Sequence, residues 1–333
     1  EGFLERMKKG DVFVLGGKKY IYLYTKGMNL YVRATIEKSP TIPSWFSEML
    51  PLSFDSANEI NRFRTLMKEK LDSKQKKEEV INFISSHLYL DKDSETTAKA
   101  IYNYFIEQHN FLEIPDSKTI LVERYKSEKN YLLFHSMYGR RVNDALSRAF
   151  AFLMAKVGGR DIQIGINDNG FYFAGEKMKI EKAINFLKKD NLEEVLKEAI
   201  EKSDVLARRF RHCATRSLMI LRNYKGRSKT VGKQQMKSHF LINAVKKITS
   251  EFPILREARR EVLEDLMDIS SAKQVLEWIE KGKIKFKIRD TQIPSPFALN
   301  LIIQGHTDLI RIEDKQAFLQ RMHGEHLKII GGR

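Results

Sequence analysis

Residues 118–175 read KTILVERYKSEKNYLLFHSMYGRRVNDALSRAFAFLMAKVGGRDIQIGINDNGFYFAG, strand-like and helix-like patterns in alternation. Two β-rich runs, KTILVERY from Lys118 and YLLFHSMY from Tyr131, flank the polar turn Lys126 to Asn130 and predict a hairpin. Helical patterns cover about 76–88 and 94–110 just upstream. Two helices and a hairpin are the parts of a winged helix, although the same order occurs in many proteins unrelated to nucleic acids. After Gly139 a helix is predicted to Lys156, and Gly158-Gly159 stops it. DIQIGINDNGFYFAG then predicts a second hairpin, with Asp168-Asn169-Gly170 supplying a positive-φ turn.

Near the N-terminus, DVFVLGGKKYIYLYTKGMNLYVRATI predicts a small β-meander or barrel, punctuated by Gly16-Gly17 and by the turn Lys26 to Asn29. A proline-bearing loop follows from Pro40, and Asp55 is placed to cap a helix through about Leu71. Towards the C-terminus, helical segments near 178–189, 191–222, 233–251, 254–269 and 271–282 precede a strand KIKFKIRD, the turn IPSPFALN and a last helix from about 313. SPFA at 295–298 reads as structural, with Phe297 as its anchor. The expectation is an α+β chain in three parts. A small N-terminal β-meander or barrel with a tryptophan loop and linking helix spans 1–74, and a winged-helix-like segment spans 75–137. A mainly helical domain with a β-hairpin spans 138–333.

The chain has 333 residues, 42% hydrophobic and 10% aromatic, enough for two or three cores. No apolar run approaches the ~18 residues that span a bilayer. The charged opening EGFLERMKKG lacks the apolar core of a signal peptide, so a cytoplasmic location without membrane contact is expected. The chain opens on Glu1 and is read as part of a longer protein. A single cysteine, Cys213, allows neither an internal disulfide nor a cysteine-based metal site, and its apolar spacing with Leu206, Phe210 and Leu221 reads as helix core.

Charge gives the functional signal. Val205 to Ser250 holds twelve Lys or Arg in 46 residues and no acid: Arg208, Arg209, Arg211, Arg216, Arg222, Lys225, Arg227, Lys229, Lys233, Lys237, Lys246 and Lys247. A proportional share of the chain's 43 acids would place about 6 there. A basic run can coat a solvated helix face, but the absence of acids biases this one towards a polyanion.

Catalytic motifs are not found. A nucleotide-phosphate loop needs G-x-x-x-x-G-K followed by Ser or Thr; GRSKTVGKQ, from Gly226 to Gln234, has five intervening residues and a Gln in the hydroxyl position. This chain alone is therefore expected to hydrolyse no ATP. His323 and His326 are expected to be solvated, and Glu193-Glu194 and Glu264-Asp265 to form surface ion pairs. Trp278, beside Val275, Leu276 and Ile279, reads as core. Trp45 sits in the proline loop without a periodic apolar pattern, so it reads either as a stacking platform for a base or as a plug between barrel and helix.

Several segments together resemble one family. DVFVLGGKKY, PSWFSEMLPLS with SFDSANEINRFR, LLFHSMYGRRVNDALSRAFA, RRFRHCATRSLMIL, FPILREARREVLEDLMDI and IPSPFALNLI, in this order, resemble the large helicase-related (Lhr) family of superfamily 2 helicases. The region matched is the C-terminal part of the helicase core, including the DEAD/H-associated domain. The resemblance runs from about Gly10 to Leu301 and is weakest over 73–125. It implies two RecA-like motor domains on the same polypeptide, which use ATP and Mg to unwind DNA with 3′ to 5′ polarity in repair. For this chain it implies an accessory module that grips single-stranded DNA, or the strand of a DNA/RNA hybrid, and carries no catalytic or metal-binding residue.

Trp45 matches the family's tryptophan in the proline-flanked loop, where it stacks on a base. The family has Arg-Gly after it and this chain has Phe46-Ser47, so the resemblance carries the stack and not an adjoining phosphate contact. Arg208, Arg209 and Arg211 match the family's RRFR start, and Arg140 and Arg141 match the basic turn after FHSMYG. Positions 208, 211, 212 and 215 share one helical face, from which guanidinium forks can reach successive phosphates; pairing with Glu201 or Asp204 is the alternative. Arg216, Lys225, Arg227, Lys229 and Lys233 complete the candidate nucleic-acid-binding set. Two other classes stay open: a winged-helix glycosylase-like base-repair module, which needs an acid or Gln beside a flipped base, and a protein-binding platform in a repair complex.

Overall fold

The computed structural model describes residues 7–15, 18–26, 29–35, 50–91, 94–126, 129–158, 162–176, 178–224, 227–305 and 312–331. They form two compact units, 1–50 with 202–260 and 51–201 with 261–333. The fold class is α+β, as expected. Trp45, Phe46, Lys225 and the turns at Gly16-Gly17 and Gly27-Met28 lie outside the described residues.

In the first unit, β1 (Val12–Leu15), β2 (Lys18–Lys26) and β3 (Asn29–Thr35) form an antiparallel meander. Val12 and Ile21 are partners across β1 and β2, and both are buried.

In the second unit, α1 (Phe54–Asp72) starts at Ser53 rather than Asp55: the Ser53 hydroxyl accepts from Ser56 N at 3.1 Å, and Asp55 lies in the first turn. α1 packs with α2 (Lys77–His87) and α3 (Glu95–Phe111) around Met67, Val80, Ile84, Phe105 and Phe297. Phe297 anchors the SPFA turn. Tyr104 stacks on its ring at 4.6 Å, the Arg64 guanidinium lies 5.0 Å from its centroid, and its backbone N donates to Gln108 Oε1 at 2.9 Å. Burial pushes the Arg64 guanidinium down to about 10.

β4 (Thr119–Lys126) and β5 (Asn130–His135) form the first predicted hairpin, following α2 and α3 in winged-helix-like order. The hairpin does not end the sheet. β5 pairs on its other side with β7 (Gly170–Gly175), which pairs with β6 (Gln163–Asn167), and β4 pairs in parallel with β10 (Lys285–Thr291). The boundary expected at 137/138 therefore runs inside one five-stranded sheet, ordered β10-β4-β5-β7-β6. The reason lies in β4 and β5: Ile120–Val122 and Leu132–Phe134 are buried at every position, a pattern that suits central strands and not an exposed wing. α4 (Arg140–Gly158) covers the sheet with Val142, Leu146, Ala149, Phe150 and Met154, and Phe134 stacks on Phe171 at 4.6 Å.

The second hairpin turns without positive φ at Asp168, Asn169 or Gly170. Asn167 Oδ1 instead accepts from Asn169 N at 2.9 Å and Gly170 N at 3.0 Å. Gly170 is required by a close approach, since a Cβ there would lie 2.0 Å from the Phe134 carbonyl oxygen.

The helix predicted over 191–222 is two helices, α6 (Leu192–Ile200), which follows α5 (Ile180–Phe186), and α7 (Asp204–Arg216), each in a different unit. A π-helical turn at Glu261–Leu266 leads into α10 (Ile269–Glu280), where Trp278 is half-buried and stacks on Phe54 at 5.9 Å. α11 (Leu299–Gly305) and α12 (Ile312–Gly331) close the unit. His326 on α12 is buried, against the expectation of solvation: its Nε2 lies 2.7 Å from the Pro294 carbonyl, and Glu107 Oε1 lies 3.2 Å from its Nδ1.

Candidate nucleic-acid interface

The first unit carries the acid-free segment. α7 begins at Ser203, whose hydroxyl accepts from Leu206 N at 3.3 Å. It buries Leu206, Phe210, Cys213 and Ala214. These lie at helical spacing, and α7 packs against α8 (Val231–Ile248) and α9 (Pro253–Arg260). Cys213 is buried core, as its spacing predicts. Burying that stripe turns Arg208 and Arg211 towards α8. The two arginines, with Asp204 and Ala207, form one wall of a groove of about 520 Å³, and Gln235, Met236, Ser238, His239 and Phe240 form the other.

The groove carries two arginines against one carboxylate, Asp204. Neither Arg208 nor Arg211 is ion-paired to a carboxylate among the described residues, Asp204 included. Burial, and then the charge of Arg208, hold the Arg211 guanidinium below its ordinary value. On the same unit, Lys237 beside Lys229 holds the Lys229 ammonium below its ordinary value. Like charges held this close repel, and a polyanion relieves the repulsion.

The other candidates divide. Lys233 is exposed in the first turn of α8. Arg216 donates from Nη2 to Cys213 Sγ at 3.3 Å, and its charge bears on Glu257, so part of its field is spent inside the unit. Arg209 is half-buried on α7, and Arg227 lies in the short strand β9 (Arg227–Ser228), paired with β8 (Asn223–Tyr224). Arg140 and Arg141 belong to the other unit. Arg140 is exposed, with its backbone N held by Asp168 Oδ1 at 2.9 Å. Arg141 is tied into the fold instead of presented: its Nη2 donates to the Glu264 carbonyl at 2.6 Å.

Residues not singled out from the sequence are Met236, His239 and Phe240. Their signal was an apolar pair at i, i+4 on a face of α8 that the fold does not bury.

Two further features bear on chemistry. Gly226 to Gln234 leads into α8, but Thr230 Oγ1 accepts from Lys233 N at 3.5 Å, so a side chain caps the helix end that a phosphate would need. The buried carboxylate of Glu123 is fully engaged, by His135 Nε2 and Ser295 Oγ on Oε1 and by Ser295 N at 2.9 Å on Oε2. It is therefore not poised beside an open base pocket. Among the described residues, no cluster of three His, Cys, Asp or Glu could hold a metal, and no helix is long and apolar enough to cross a membrane.

The five-stranded sheet, its covering helices and the SPFA turn that locks onto it define a helicase-associated fold: the chain belongs to the DEAD/H associated family, whose profile matches residues 114–298. In particular it is similar to the ATP-dependent helicase Lhr-Core of Methanothermobacter thermautotrophicus, 48% identical over 97% of this chain and 37% of that protein. It is also similar to the ATP-dependent helicase Lhr-Core protein 2 of Thermococcus barophilus, 42% identical over 99% of this chain and 38% of that protein. The chain thus spans under two fifths of the length of these relatives. Its fold matches the structure of Mycobacterium smegmatis helicase Lhr bound to ssDNA and AMP-PNP, with a TM-score of 0.66 and 22% identity over 80% of this chain and 33% of that one. The Lhr resemblance of the quoted segments is borne out.

Proposed function

We propose that this chain is the accessory nucleic-acid-binding module of an Lhr-like ATP-dependent helicase. It grips the tracking single strand of DNA, or of a DNA/RNA hybrid, while RecA-like motor domains on the same polypeptide use ATP and Mg to move 3′ to 5′ in the cytoplasm. The observation that carries this reading is the Arg208–Arg211 wall, two guanidinium groups without carboxylate partners among the described residues, within a segment that has no acid. Guanidinium forks bind phosphate oxygens in pairs, and α7's buried stripe holds both forks on one face, so the strand meets a fixed spacing of charge. Trp45 is assigned the base-stacking role on its sequence match, and Arg209, Arg216, Lys225, Arg227, Lys229 and Lys233 supply the surrounding field.

Salt dependence tests the reading. Neutralising Z phosphates gives a log-log salt slope of about −0.7Z for single strands. Charge reversal at Arg208 and Arg211 together should lower affinity and flatten that slope. Unchanged affinity and slope in a folded double variant would remove the basic segment from the binding surface.

A further inference from the structure

The first half of α8 is inverted, although Ile242 and Val245 are buried further along it. It buries the polar Gln234 and Ser238, at 8% and 4% exposure, while Met236 and Phe240 stand 56% and 68% exposed. Gln234 is accommodated because its Nε2 donates to the Lys229 carbonyl at 2.9 Å. Nothing comparable compensates an exposed phenyl ring and thioether. Both belong to the groove that Arg208 and Arg211 wall on the opposite side. The His239 ring meets Phe240 edge-on, at 6.5 Å and 68°, and the groove's remaining polar groups are Asp204, Gln235 and Ser238.

Resting on the reading of the chain as a single-strand-binding module, we propose that this groove seats one unstacked nucleotide, its base on Phe240 and its phosphates on Arg208 and Arg211. A nucleotide has the two chemistries the groove separates, an apolar π-face and a dianionic flank, whereas a fully paired duplex offers only the second. The volume, about 520 Å³, is within the roughly 300–1,000 Å³ of small-ligand sites. Base stacking on an aromatic ring tolerates any sequence, so the site selects single strands over duplex without reading sequence. An acidic, apolar protein segment is the competing occupant. The composition favours nucleic acid, because α8 carries three further exposed cations, Lys233, Lys237 and Lys247, and no acid.

The experiment compares the whole chain with Phe240→Ala, Phe240→Trp and Arg208→Glu/Arg211→Glu, using a fluorescein-labelled oligothymidylate and a labelled blunt duplex in anisotropy titrations across salt. Phe240→Ala should weaken single-strand binding by about 5-fold or more at unchanged salt slope and leave duplex binding within about 2-fold. Phe240→Trp should restore single-strand affinity, and neither variant should shift the melting temperature. A folded Phe240→Ala with wild-type single-strand affinity, beside a defective charge-reversal variant, overturns the nucleotide seat and leaves the binding reading standing. No defect in any variant overturns both. A large loss of melting temperature in Phe240→Ala makes the ring a packing residue and also overturns the seat.

Discussion

Glu123 Oε1 lies 2.5 Å from His135 Nε2 across β4 and β5, with both side chains buried. The same carboxylate accepts from Ser295 N and Ser295 Oγ, so one acid joins two adjacent strands to the turn that carries Phe297, 172 residues further along the chain. Removing it strands three partners at once. Glu123→Ala should cost about 3 kcal/mol or more in urea denaturation, and Glu123→Gln, which keeps an acceptor, clearly less. Equal stability in wild type and Glu123→Ala would show that the network contributes nothing net.

Asp168 Oδ1 accepts from Leu52 N at 3.0 Å and from Arg140 N at 2.9 Å, so it caps α4 and ties the segment before α1 to the second hairpin. Asp168→Ala should cost about 1–2 kcal/mol. Gly139, next to this cap, has φ +84°, and a Cβ there would lie 2.5 Å from the Leu52 carbonyl oxygen. Gly139→Ala should therefore cost about 1–3 kcal/mol through strain and clash. Denaturation midpoints of the two variants test both.

Trp45→Ala separates stacking from charge. It should weaken single-strand binding by about 1–3 kcal/mol while the salt slope stays constant, because no phosphate contact is lost. Calorimetry should show an unchanged melting temperature. A marked drop would identify Trp45 as a plug in the core.

Hydrogen bonds from Lys273 and Lys197 hold the Glu193 carboxyl down at about 2, against an ordinary 4.5, and Lys273 joins α10 to α6 through this pair. A carboxyl whose pKa is depressed by folding stabilises the fold above its unfolded pKa, and that contribution disappears as pH falls from about 4.5 to about 2. Lys273→Met should shrink the stability difference between about pH 5 and about pH 2.5, and added salt should shrink it in the wild type because the pair is partly exposed. An identical pH dependence in Lys273→Met would remove this pair as its source.

Much of the local structure was legible in the residues. β-branched and aromatic residues marked β1 to β3, the β-rich runs KTILVERY and YLLFHSMY marked β4 and β5, the glycine-punctuated DIQIGINDNGFYFAG marked β6 and β7, and KIKFKIRD marked β10. The missing acids between Val205 and Ser250 marked the basic segment, and the quoted motifs marked the family. These signals are local. Periodicity reports which face of an element is apolar, and composition reports charge, from neighbouring residues alone.

Partners across the chain were decided only by tertiary structure. The apolar run of β5 cannot say that its free edge is taken by β7, nor that β4 pairs with a strand about 165 residues away, because hydrogen-bonding edges look alike in every strand. The same holds for single residues. His326 is buried by Pro294 and Glu107, and Arg141 is withdrawn to the Glu264 carbonyl, by contacts remote in sequence. Along α8, Gln234 and Ser238 are buried with Ile242 and Val245 while Phe240 stays outward, because packing against α7 covers a whole helix face and not each residue by its own hydrophobicity. Sequence determined which elements form and how they are charged; the non-local pairing of edges and faces determined which of those charges line a groove.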